Sequence, residues 1–80
     1  MEELLDEHEF LSRSPEGQRE MILRHCGPLQ EQLQSVRTRT EALTLVDLWC
    51  DRFSSRCSSS ILRSAVRRTA LEMVDAQLPA

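Results

Sequence analysis

The stretch TRTEALTLVDLWCDRFSSRC, residues 38–57, places apolar side chains at the three- and four-residue spacing of one helix face: Ala42, Leu43, Val46, Trp49, Cys50, Phe53 and Cys57. Leu45 and Leu48 add apolar surface on other sides of the same helix. A helix that is apolar on more than one side packs against more than one neighbour, so residues 39–57 are expected at the centre of the fold. Its start is marked by Thr38-Arg39-Thr40-Glu41, the pattern of a capping box, in which a threonine and a glutamate three residues later satisfy free backbone donors. Ser58-Ser59-Ser60 follows, and serine competes for backbone hydrogen bonds, which predicts a break with a fresh N-cap.

Beyond that break, a last helix is expected from Ile61 to Gln77. Ile61, Leu62, Ala65, Val66, Thr69, Ala70 and Met73 face inward, and Arg63, Arg67, Arg68, Glu72 and Asp75 face outward, with Arg68 and Glu72 one turn apart as an ion pair. Upstream, Ser14-Pro15-Glu16 reads as a helix start, because Ser14 can accept from a free N–H and Pro15 sits where a missing donor costs nothing. That helix runs to Cys26 and meets Gly27-Pro28, which reads as a C-terminal glycine before a residue that cannot continue the helix. Yet Ile22, Cys26, Leu29, Leu33 and Val36 hold one helical phase across it. A corner and a proline kink both remain open, so the helix count is three to five. At the N-terminus, Glu2, Glu3, Asp6 and Glu7 suit the positive end of a short amphipathic helix whose apolar side is Met1, Leu4, Leu5, His8 and Leu11.

Composition agrees with an all-α bundle of antiparallel helices in a single domain of 80 residues. Leu, Ile, Val and Phe make up a quarter of the chain, above the level at which disorder prevails. Two glycines, three prolines and no tyrosine argue against a sheet. A chain of this size buries only roughly 60% of the surface it exposes unfolded, which favours association with a second copy. Three cysteines, Cys26, Cys50 and Cys57, lack the even count of a disulfide framework and read as reduced core thiols. The acidic start, without a cationic leader region or a long apolar run, points to the cytoplasm and away from membranes.

All ten basic residues are arginine, but the net charge is −3, so a basic field for nucleic acid is missing. Arg52, Arg56, Arg63 and Arg67 would form one anion-binding stripe if the helix ran on through the serines. No C-x-x-C or H-x-x-x-H spacing, Gly-rich phosphate loop or nucleophile motif occurs, so no metal, cofactor or enzymatic activity is expected. The leading expectation is a protein–protein interaction module that self-associates, with a homodimer foremost. Its contact surface would comprise Leu4, Leu5, Phe10, Leu45, Leu48 and Leu71, the apolar residues least accounted for by an internal core. A nucleic-acid-associated regulator using the arginine stripe is the alternative.

Overall fold

A computed structural model describes residues 5–78, which form five helices: α1 (Glu7–Ser12), α2 (Pro15–His25), α3 (Gly27–Leu33), α4 (Arg39–Ser54) and α5 (Ser60–Gln77). Among the described residues there is no strand, and no helix is long and apolar enough to cross a membrane.

Each boundary follows from local chemistry. The Ser14 hydroxyl accepts from the Gly17 N–H at 3.2 Å with Pro15 in the first turn of α2, and the Thr38 hydroxyl accepts from the Glu41 N–H at 3.2 Å to open α4. Ser59 opens α5 by accepting from the Leu62 N–H at 3.2 Å, and its own hydroxyl donates to Glu7 Oε1 at 2.6 Å, which ties the start of α1 to the start of α5. The serine triplet therefore caps α5, while α4 already ends at Ser54, three residues short of the expected Cys57.

Asp6 caps α1 by accepting from the His8 N–H at 2.9 Å. That late start leaves α1 only six residues long and sends Phe10 into the core, at 6% exposure, while His8 and Leu11 face solvent. The apolar side expected along His8 and Leu11 is corrected accordingly; Met1 and Leu4 lie outside the described residues.

Gly27-Pro28 is a junction between two helices. α2 ends at His25, Cys26 alone is non-helical, and α3 begins at Gly27. Pro28 has no N–H to give to the carbonyl four residues back, so the helical ladder breaks there. Cys26 still donates to the Ile22 carbonyl and accepts from the Gln30 N–H at 2.9 and 3.0 Å. This tight splice keeps Ile22, Cys26, Leu29 and Leu33 all facing one core.

The core closes around the α4–α5 hairpin. Ala42, Val46, Cys50 and Phe53 of α4 meet Leu62, Val66, Ala70, Met73 and Val74 of α5 in one cluster. α5 contacts every other helix and α4 contacts α3 and α5, so the centre expected at residues 39–57 is shared with α5. Leu43 and Ile61, expected inside, are substantially exposed. Glu72 pairs with Arg19 of α2 at 3.2 Å rather than with Arg68, joining α2 to α5.

Gly27, which one of the two sequence readings placed at the end of a helix, begins one instead: its φ is not positive, and a Cβ there would meet nothing within 4 Å. Gly27→Ala should therefore stabilise the protein by about 0.4–1 kcal/mol, mainly by restricting the unfolded chain. Urea unfolding monitored by circular dichroism measures this, and a loss of stability would contradict the assignment.

Candidate interaction surface

α4 and α5 run antiparallel, because Arg39 at the start of α4 pairs with Asp75 near the end of α5, and Asp47 pairs with Arg67 at 3.0 Å midway along. On α4, residues 39, 43 and 47 are successive turns of one stripe, as are residues 67, 71 and 75 on α5. Both stripes read Arg, Leu, Asp at intervals of four: Arg39-Leu43-Asp47 and Arg67-Leu71-Asp75. The antiparallel arrangement turns this repeat into a four-cornered pattern, with positive and negative charge alternating around Leu43 and Leu71. Each leucine is 36% exposed.

The two ion pairs are solvent-exposed and each adds only about 0–1 kcal/mol to stability. Their consequence is patterning: they fix four charges around an apolar centre. Beneath this face lies Cys50, whose thiol is pushed up by burial and drawn back by the neighbouring Arg67 guanidinium.

The structure distributes the sequence-predicted contact residues differently. Phe10 is a core residue and cannot serve an outer surface. Leu5 and Leu45 are half-buried against the core, Leu48 is 50% exposed on another side of α4, and Leu71 belongs to the four-cornered face. Leu4 lies outside the described residues. Leu43, assigned to the core by its spacing, completes the face instead; the repeated Arg-x3-Leu-x3-Asp was the sequence signal for it.

The four arginines do not form one stripe. The break at residues 57–59 separates Arg52 and Arg56 from Arg63 and Arg67, and Asp47 already holds Arg67. Arg52 lies on the opposite side of α4 from Leu43, nine residues or half a rotation away, and Arg56 follows in the turn after the helix. There they flank a cleft of about 230 Å³ lined by His25, Trp49 and Phe53. The His25 ring stands edge-on to Phe53 at 5.0 Å and tilted against Trp49 at 6.1 Å. Trp49 Nε1 is sealed from solvent and has no hydrogen-bond partner among the described residues. Among the described residues, no three His, Cys, Asp or Glu side chains converge as metal ligands.

Compared with protein-family models, curated proteins and solved structures, the chain matches none.

Burial holds the His25 imidazole below its ordinary value of 6.5. As the pH falls, the unfolded chain takes up this proton before the folded one does. The stability this histidine contributes is complete above pH 6.5 and is lost as pH drops from there through the depressed folded value. Thermal unfolding from neutral to mildly acidic pH should show a falling Tm with a slope that flattens in His25→Leu. An equal slope in the variant would assign the effect to other groups.

Proposed function

We propose that the protein is a non-enzymatic interaction module that self-associates through the four-cornered α4–α5 face. The observation that carries this reading is the charge alternation around Leu43 and Leu71. If a second copy is laid face to face on the first by a two-fold axis in the plane of the contact, opposite charges meet. With the axis along the helices, Arg39 meets Asp75 of the second copy and Asp47 meets Arg67. With the axis across them, Arg39 meets Asp47 and Arg67 meets Asp75. The surface is self-complementary in either orientation, as an isologous dimer requires.

The size of the face sets the strength. α4 is about 24 Å long, and two packed helices span about 20 Å. A contact of these dimensions buries on the order of 1,000 Å² in total, the lower edge of specific interfaces. The expected assembly is a weak, concentration-dependent dimer. The reading sets it in the cytoplasm, where three unpaired thiols remain reduced.

Sedimentation velocity from micromolar to millimolar protein should show the mass rising toward twice the 9.2 kDa chain. Leu71→Glu should hold the protein monomeric without loss of helical circular dichroism. Asp47→Arg, which meets like charge in either orientation, should weaken association at least tenfold. A monomer at every concentration, or a dimer indifferent to both substitutions, would refute the proposal.

A further inference from the structure

A second surface of α4 has a chemistry of its own. The cleft between the end of α2 and α4 has an aromatic interior, with Phe53 at 3% exposure, Trp49 half-buried and the His25 ring edge-on to Phe53. At its rim stand Arg52, in the last turn of α4, and Arg56, in the turn that follows the helix. Neither has a carboxylate partner among the described residues, which is equally true of Arg24, Arg37, Arg63 and Arg68; what sets Arg52 and Arg56 apart is that both line the aromatic cleft.

We propose that this cleft binds an acidic peptide segment of another protein, taking one large apolar side chain between His25, Trp49 and Phe53 while flanking carboxylates pair with Arg52 and Arg56. Volume and charge select this occupant. At about 230 Å³ the cleft is smaller than the roughly 300–1,000 Å³ of sites that enclose a small-molecule ligand, so it suits a single side chain presented from a chain outside. Guanidinium groups grip carboxylates in a bidentate fork, and two of them on one rim can engage two acidic side chains. Nucleic acid is disfavoured: only two cations are free at the site, whereas phosphate-backbone binding draws on several, and the molecule as a whole carries −3. Tryptophan and arginine are also the side chains that concentrate binding energy at protein contacts. Because the cleft lies half a rotation around α4 from the Leu43–Leu71 face, this proposal does not depend on self-association.

Trp49 is the only tryptophan, so its fluorescence reports the cleft directly. The probe is a capped synthetic peptide with one leucine flanked by two glutamates on each side. It is titrated into the full chain, with amide chemical shifts recorded in parallel. Saturable changes in Trp49 emission and in residues around the cleft are expected. Affinity should fall at least tenfold in Arg52→Ala/Arg56→Ala, and equally when the peptide leucine is replaced by glycine. Arg52 and Arg56 are exposed, so the variant keeps its fold, which circular dichroism verifies. Arg52→Glu/Arg56→Glu should instead prefer the peptide carrying lysines in place of glutamates. The proposal is overturned if millimolar peptide leaves Trp49 unmoved, if the double alanine variant binds equally well, or if benzoate or a thymidine oligonucleotide binds the cleft more tightly.

Discussion

The packing of α4 against α5 is the constraint on which the rest of the molecule depends. Their seam is built from small and branched residues, Ala42, Val46 and Cys50 on one helix and Leu62, Val66 and Ala70 on the other, all buried. Alanines on both sides let the backbones approach closely, and the ion pairs at Arg39–Asp75 and Asp47–Arg67 agree with a single antiparallel register. α3 packs against both helices, so a slip along this seam would break its contacts with one of them, and α1 and α2 are carried on α5. The same register creates the outer face, because only in this alignment do two Arg-Leu-Asp stripes running in opposite directions place unlike charges side by side.

Much of the fold was legible in the sequence wherever a local chemical rule had no competitor. Ser14-Pro15, Thr38 and the Ser58–Ser60 triplet mark helix starts because a hydroxyl next to a free backbone N–H has one favourable arrangement, and the structure uses all three, with Ser59 as the cap within the triplet. Gly27-Pro28 was ambiguous because two rules conflicted: the missing proline donor demands a break, while the apolar phase demands continuity. The structure satisfies both with a single non-helical residue, Cys26, an arrangement no periodicity count distinguishes from a kink. Phe10 and Leu43 exchanged expected places for a related reason. Spacing identifies an apolar stripe, but where the stripe ends is decided by neighbours distant in the sequence. A six-residue α1 has room to bury one side chain, and Leu43 lies at the edge of α4 where α5 supplies Leu71 in place of a cover.

The candidate site was less legible than the fold. The Arg-x3-Leu-x3-Asp repeat is visible in one dimension, but it becomes a pattern of alternating charge only when the two helices are antiparallel and in register. The cleft beside Trp49 draws His25 from α2, which the tight splice at Cys26 carries to the end of α4. The arginine set shows the reverse: four residues that share a stripe on an unbroken helix are divided once the serines reverse the chain. α4 thus carries two exposed faces of different character, one balanced in charge around leucines and the other cationic around aromatic rings.

The three cysteines lie within this packed interior. Cys26 is fully buried, and its thiol is pushed up to about 11, first by burial and then by the neighbouring Cys50. Oxidants react with the thiolate, a form this environment suppresses and solvent cannot reach, so damage must wait until the fold opens. Once the Cys26 sulfur has been oxidised to a sulfinic or sulfonic acid, it cannot return to its apolar seat at the splice between α2 and α3. Each opening under oxidising conditions therefore carries a chance of becoming permanent. The working lifetime of a molecule is then set by how often its core opens, and the thiols act as a ratchet that turns transient unfolding into irreversible loss.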